Sequence, residues 1–378
     1  MENLFDAVKN SRRVALREVS HYVTERVPAC EVVLGDYIST ENMLPNKGGA
    51  TSASTIPSGG SVTRYQSGDT LTSNIRPYFK KIWMATKNGG CSNDVLVVRS
   101  NNERELDKAF LYLALSKDTF FAHAMMGSRG TKMPRGDKDG IMEYEIPLPG
   151  LAIQKEIASI LCTYDKKIEN NNLITKNLEA IAQTIFDEWF VKFNFPGHEK
   201  VGLVEGEMRD TPEGWKVQNV LDVIERISVG KKYDNKSALP VGNIPILDQG
   251  KSGNIGYHNE DPGVIASVEN PVVVFTNHTC YYRLMTEPFS CIQNVLPYKG
   301  KNGYPTLFVY FLTKEKIKMQ EYKGHWPDFE QQNFIAPPAL LAEKFAHKVS
   351  PLIEKMVACE KENNCLKHSR DQLLAKLI

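Results

Sequence analysis

From residue 151 the chain reads LAIQKEIASILCTYDKKIENNNLITKNLEAIAQTIFDEWFVKF, and from residue 340 it reads LLAEKFAHKVSPLIEKMVACEKENNCLKHSRDQLLAKLI. Steps of four and three through the first stretch pass Ile153, Ile157, Ile160, Tyr164, Lys167, Asn171, Ile174, Leu178, Ile181 and Ile185. The positions 192 residues later are Phe345, Val349, Leu352, Met356, Cys359, Asn363, Leu366, Arg370, Leu373 and Leu377. Eight of ten in each set are apolar, counting tyrosine and cysteine. Heptads sustained this long argue for a coiled coil of two long helices rather than isolated core helices. Pro351 falls inside the second stretch and is expected to kink that helix or to mark its true start.

An offset of 192 in a chain of 378 is close to half the length, which points to an internal duplication. The flanking segments agree weakly. VALREV at 14–19 resembles VQNVLDV at 217–223, and a proline-marked strand end precedes each helix, YEIPLPG at 144–150 and NFIAPPA at 333–339. The organisation expected is a globular part over 1–149, a helix over 150–194, a linker and second globular part over 195–338, and a helix over 339–378. The globular parts read as α+β. Candidate strands are KIWMAT at 81–86, DVLVVRS at 94–100, IPIL at 244–247 and PVVVFT at 271–276, set between Gly, Asn, Ser and Pro turns. Short helices fit ERELDKAFLYLALS at 103–116 and TLFVYFLTKEKIKMQ at 306–320. The loop NKGGATSASTIPSGGS at 46–61 is long enough to be a contact loop, and 196–215 reads as the linker into the second half.

The composition, 42% hydrophobic and 24% charged, is that of a folded chain of two domains. Lys and Arg number 46 against 45 Asp and Glu, which excludes a histone-like polycation. It leaves room for a basic groove balanced by acidic surface elsewhere. No stretch approaches the roughly 18 apolar residues of a membrane helix, and MENLFDAVKNSRR lacks the apolar centre of a signal peptide. The seven cysteines form no CxxC pair, so reduced thiols in a cytoplasmic protein are expected.

No stretch of the sequence carries a recognisable reactive centre. DQGKSGN at 248–254 carries the GK of a phosphate loop, but Pro245 stands where its first glycine belongs. PDFEQQ at 327–332 has carboxylates without the lysine of a nuclease site. APPA at 336–339 lacks the Asn or Asp and the aromatic of an amino-methyltransferase loop. The eight histidines are scattered without metal-site spacing, so neither metal nor cofactor is expected. What remains is basic loops. SNIRPYFKK at 73–81 offers Arg76, Tyr78, Lys80 and Lys81, and GSRGTKMPRGDKDG at 127–140 offers Arg129, Lys132, Arg135 and Lys138. The second half offers Lys231 and Lys232 in VGKKYDNK, Asn277 and Arg283 in TNHTCYYR, Gln293, and Lys299 and Lys301 in YKGKNGY. Cations on glycine-rich loops can follow a phosphate backbone and present a fork to guanine, and Asn or Gln can pair with an adenine edge.

A duplicated globular part plus long helix, without a catalytic motif, resembles the specificity (S) subunits of type I restriction–modification systems. The likeness covers essentially the whole chain. Its phrases are TPEGWKVQNVLDVI at 211–224, GNIPILDQGKSGNIGYHN at 242–259, IRPYFKKIW at 75–83 and IPLPGLAIQKEIASIL at 146–161. The first half departs from the pattern in lacking a GW at its start.

The resemblance implies two target recognition domains, each reading half of a bipartite site in double-stranded DNA, separated by two antiparallel coiled-coil helices about a pseudo-two-fold axis. It implies two methylation subunits docked on the coil and restriction/motor subunits in the full complex. S-adenosylmethionine, ATP and magnesium would then be bound by those partners, and this chain would be non-catalytic. A 33-residue heptad tract is about 50 Å long at roughly 1.5 Å per residue, more than a DNA turn of about 34–36 Å. Helix length is therefore expected to act as a ruler, so that residues inserted in the first helix lengthen the spacer. Asn171 and Asn363 hold equivalent seam positions in this alignment, and a buried seam Asn fixes register at a cost in stability. The alternatives are the specificity subunit of a system with cleavage and methylation fused in another chain, and a coiled-coil module that binds only proteins.

Overall fold

The computed structural model describes residues 2–378 except Arg129, Thr131, Lys132, Glu207, Lys251, Ser252, Glu315, Gln320 and Tyr322. Two long helices dominate it, Leu151–Phe186 and Ala339–Leu377. The chain divides into two compact units, and the division falls inside both helices. The first unit is residues 1–169 with 363–378, and the second is residues 170–362.

In the first unit, strand Arg12–Ala15 pairs antiparallel with Glu145–Leu148 and runs into a single helical turn, Leu16–Val19. The chain then enters a four-stranded antiparallel sheet in the order Ser20–Tyr22, Val95–Ser100, Thr70–Ser73, Ile82–Met84. Val95–Ser100 is buried at almost every position, as a strand covered on both faces must be. A second sheet has the order Arg26–Pro28, Ser61–Tyr65, Gly89–Cys91, Tyr37–Ile38, its last pairing parallel. Helices Lys108–Leu115 and Asp118–Met126 add Phe110, Leu113 and Phe120 to a core that takes Ile157 and Leu161 from the first long helix and Leu374 and Leu377 from the second. The helix expected over 103–116 starts late because Asp107 accepts the N–H groups of Ala109 and Phe110 as a cap. The buried Gln154 side chain fastens the long helix to this lobe. It donates to the carbonyls of Glu105 and Pro149 and accepts from the Asp107 N–H.

The second unit repeats the first pairing and the four-stranded sheet of this plan and departs from it in the second sheet. Lys216–Asn219 pairs antiparallel with Asn333–Ala336 and runs into the turn Val220–Val223. The antiparallel sheet has the order Ile224–Arg226, Val295–Gly300, Val272–Thr276, Tyr282–Met285. A three-stranded sheet, Asn254–His258, Ile244–Leu247, Ser290–Cys291, again ends in a parallel pairing. Its core is aromatic: Phe186, Phe190, Phe308, Phe311 and Phe345 cluster between the helix segments and the lobe. The helix expected over 306–320 is Thr306–Thr313. The linker expected over 196–215 is structured, with a small hairpin of Leu203–Val204 and Thr211–Pro212 and with Trp215 buried against Phe190, Phe193 and Phe195.

Within each unit the helix segments run antiparallel. In the second, Asn171 Nδ2 donates to Glu362 Oε2 at 2.8 Å, while the Phe186 and Phe345 rings meet at 5.7 Å. In the first, Arg370 Nη1 bonds Asp165 Oδ1 at 2.6 Å, with Ile157, Leu161, Leu374 and Leu377 in one core. The second helix begins at Ala339 and continues through Pro351. Pro351 therefore does not mark its start. Pro351 and His347, whose carbonyl loses its N–H partner there, are both exposed, so water can take the bond.

Of the seam residues, Ile157, Asn171, Phe345, Val349, Asn363 and Leu377 are buried. Ile153, Ile160, Tyr164, Ile174, Leu178, Ile185, Leu352, Met356, Leu366 and Leu373 are half-buried. Ile181 is the correction: it is 49% exposed, and Ala182 and Phe186 point into the core instead. A helix of 3.6 residues per turn drifts from a strict heptad, and each segment covers its lobe as well as the other helix, which widens the stripe.

The duplication offset of the helices is also corrected. Strands Glu145–Leu148 and Asn333–Ala336 and the helix starts at Leu151 and Ala339 are all offset by 188. Four residues are about one helical turn, so the heptad pattern cannot tell 192 from 188. With the true offset Asn171 is equivalent to Cys359, and Asn363 to Thr175. The two asparagines are thus not repeats of one another, although both are buried.

Candidate nucleic-acid interface

In the first lobe the strands Thr70–Ser73 and Ile82–Met84 are joined by residues 74–80, closed by the Ser73 N–H to the Lys81 carbonyl. The tip is a 3₁₀ turn, Pro77–Phe79, bracketed by Arg76 and Lys80, both left-handed with φ of 50° and 51°. Three backbone bonds hold it. Arg76 N–H donates to the Pro134 carbonyl, Asn46 N–H to that of Phe79, and Lys47 N–H to that of Lys80. The fold thereby brings together 73–81 and the end of the 127–140 segment, including Arg135, whose guanidinium lies 3.0 Å from Asp94. Arg129 and Lys132 lie outside the described residues.

The cations on this hairpin are fixed rather than free. Lys80 and Lys47 reach opposite oxygens of Asp118 at 2.9 and 3.1 Å, and Lys81 Nζ donates to the Thr40 carbonyl at 2.6 Å. Burial and the charge of Arg76 push the Lys81 amine below its ordinary range. Burial alone would raise the Asp118 carboxyl, but hydrogen bonds from Lys80 and Lys47 and their charges bring it below its usual value. The folded pKa is depressed, so the anchor's contribution is present above the ordinary carboxylate range and is lost as pH falls through the folded value. Amide protection relative to intrinsic exchange at 76 and 78–81 is expected to fall below about pH 4 in the native chain, and Asp118→Asn should show that lowered protection already at pH 7.

The second lobe places its residues differently. The equivalent connection is 277–280, shorter by three, and it is closed by Thr276 N–H to the Tyr281 carbonyl. Asn277 is structural here. Its N–H donates to the Asn294 carbonyl, its carbonyl accepts from His325, and its Oδ1 accepts from the Trp326 N–H at 2.8 Å. Asn74 repeats two of these bonds in the first lobe, donating to Asp94 and accepting from Gly136. The expectation that Asn277 pairs with adenine is therefore replaced by a duplicated architectural role. Arg283 is likewise engaged: its guanidinium donates to the carbonyls of Gly250 and Gly253 and lies 3.6 Å from Asp248. Lys231 pairs with Glu260 at 2.7 Å, and Lys232 is exposed beside the Cys291 strand. Gln293 is exposed on the next turn. Lys299 and Lys301 sit at the far end of Val295–Gly300, facing Glu225 and the Leu221 carbonyl, so the second-half set does not form one surface.

One cluster has the look of a hydrolase site. His258 Nε2 lies 2.9 Å from Ser290 Oγ, and Tyr233 and Glu260 complete the group. The Glu260 backbone N–H donates to His258 Nδ1, so the proton sits on Nε2 and points at the serine. That histidine cannot take the serine's proton, and the serine is fully buried. The network is a buried staple for the loops around 230–263. Among the described residues no group of three His, Cys, Asp or Glu could hold a metal ion, and no helix is long and apolar enough to cross a membrane.

Two lobes built on the same four-stranded antiparallel sheet and on segments of the two long helices, and differing in their second sheets and hairpins, make a duplicated module. Residues 36–180 match the family described as type I restriction modification DNA specificity domain. The chain is 25% identical over 297 residues to the type I restriction enzyme MjaIX specificity subunit of Methanocaldococcus jannaschii, covering 71% of this chain and 68% of that one. It is 30% identical over 168 residues to the EcoDI specificity subunit of Escherichia coli, covering 41% of this chain and 37% of that one. A solved type I restriction–modification S subunit from M. genitalium has a TM-score of 0.57 and 17% identity, over 98% of this chain and 96% of that one, and shares the fold. Residues 36–180 thus match the type I DNA specificity domain, and the chain is similar to type I specificity subunits over part of its length.

Proposed function

We propose that the chain is the DNA specificity subunit of a type I restriction–modification complex, with each lobe reading one half of a bipartite site. The observation that carries this is the duplication. The same four-stranded antiparallel sheet and the same Asn74/Asn277 staple recur in both lobes, while the second sheets and the hairpins differ in strand order, length and chemistry. A repeated scaffold with unlike loops suits two unlike half-sites. In this reading methylation subunits dock along the long helices, and restriction/motor subunits join them. S-adenosylmethionine, ATP and magnesium serve those partners, while this chain supplies sequence choice alone.

The test is methylome sequencing of cells that express the chain with a type I methylation subunit, against cells lacking the chain. A bipartite methylated motif that depends on the chain supports the proposal, and an unchanged methylome overturns it. The helices would set the gap between half-sites. Inserting seven residues at matched positions in both helices keeps the heptad and adds about 10 Å, so the motif's spacer is expected to grow by about three base pairs at roughly 3.4 Å each. A spacer of unchanged length in that variant would reject the ruler.

A further inference from the structure

The first lobe displays something the second does not. Tyr78 and Phe79 at the hairpin tip are 48% and 38% exposed, with ring centroids 4.6 Å apart. In the second lobe the same connection carries His278, Thr279 and Cys280, and Cys280 is buried. The aromatic turn is also held in costly backbone. Of eight non-glycine residues with positive φ among the described residues, Asn46, Lys47, Arg76 and Lys80 all belong to this hairpin and the loop clamped to it. Left-handed residues without glycine persist where the surroundings over-determine them, and they cluster at functional sites. Arg76, Lys80 and Lys81 flank the rings within 73–81 and the touching segment 133–136 adds Arg135, with Asp118 and Asp94 facing Lys80 and Arg135 from neighbouring elements. The Lys81 amine lies 5.9 Å from the Phe79 ring centre.

We propose that the Tyr78–Phe79 turn is an aromatic wedge that packs against a base step of the half-site read by the first lobe, partly unstacking it, and that the second lobe reads its half without one. The inference rests on the DNA-specificity reading and deepens it. A planar apolar pair rimmed by cations matches a base stack flanked by phosphates, and aromatic wedges bend and select deformable steps. The clamp matters because a wedge must not yield when it meets the stack. Asp118, two backbone bonds from the 46–47 loop and one from Arg76 to Pro134 supply that stiffness.

The experiment uses the full chain with a methylation subunit, duplexes carrying the methylome-defined site, and 2-aminopurine placed in either half. With wild type, fluorescence is expected to rise on binding for the probe in one half only. Tyr78→Ser with Phe79→Ser should abolish that rise and weaken binding about tenfold or more, leaving the slope of log affinity against log salt unchanged. Arg135→Gln should instead flatten that slope by about one unit and keep the fluorescence rise. Tyr78→Phe, which keeps both rings, should behave as wild type and shows that the fold tolerates change at the tip. An aromatic-free variant that binds within twofold and still brightens the probe overturns the proposal, as does loss of both half-sites together. Failure of wild type to bind any duplex in a salt-dependent way is a separate result and would remove the specificity reading itself.

Discussion

Replacing Arg99 by Met is expected to destabilise the first unit by about 3 kcal/mol, the lower end of the range for breaking a buried pair. Asp69 is the reason. Its side chain is 4% exposed and takes two bonds from the Arg99 guanidinium, each 2.7 Å, plus the Gln66 N–H. Without the arginine a carboxylate is left buried between the strands Thr70–Ser73 and Val95–Ser100. Arg99 itself keeps 28% of its exposure, so water softens the loss and the upper end of the range is not reached. The hydrogen bond to Asp69, followed by its charge, overcomes burial and holds the guanidinium pKa above its usual value. Urea denaturation of the full chain measures the effect. Adding Asp69→Asn to Arg99→Met should restore most of the loss, because the penalty belongs to the orphaned charge rather than to the missing bond. A double variant as unstable as the single one would show that Arg99 matters through packing instead.

Phe345→Ala should cost the second unit about 3–5 kcal/mol. The ring is fully buried and meets Phe190, Phe311 and Phe186 edge-on at 5.3, 5.6 and 5.7 Å. It is the knob by which the second helix enters the lobe's aromatic core, so truncation leaves a cavity walled by rings that cannot close without moving both helix and lobe. Edge-to-face pairs add to the burial term. The matched control is Leu340→Ala, five residues earlier and 64% exposed, which should be nearly silent. A thermal melt that shifts equally for both would mean the cluster relaxes around the gap.

The long helices were legible because nearly forty residues of one period leave little room for another reading, and four strands followed from apolar runs between turn residues. The duplication was legible too, but its offset was not. A slip of one turn rotates a helix by about 40°, too little to disturb an apolar stripe. The prolines that precede the helices hold the correction, since Pro149 and Pro337 are 188 apart and mark a strand end rather than a periodic face. A further repeat went unread. Cys91 and Cys291 each open a turn that leads into the central strand four residues on, with Asn93 and Gln293 at its exposed corner.

The candidate site was legible only as chemistry. Arg76, Lys80 and Arg135 do gather at one hairpin, but nothing in sequence separates a loop asparagine that meets a base from one that staples two loops. Asn277 belongs to the second kind because its carbonyl, N–H and Oδ1 are all taken by backbone. Arg283 follows it, spent on two glycine carbonyls that no spacing rule places nearby. Tyr78 is legible beside the basic residues, but its pairing with Phe79 as an exposed, clamped tip emerges only from the exposure and the backbone.

The first unit needs residues 363–378 to complete its core, while the second is one unbroken run from 170 to 362. The lobe translated first can therefore complete its core only once residues 363–378, which follow the whole of the second unit, have been made. The interval in which Ile157 and Leu161 stand without Leu374 and Leu377 is when an unfinished first unit offers apolar surface to a chaperone or to another nascent chain.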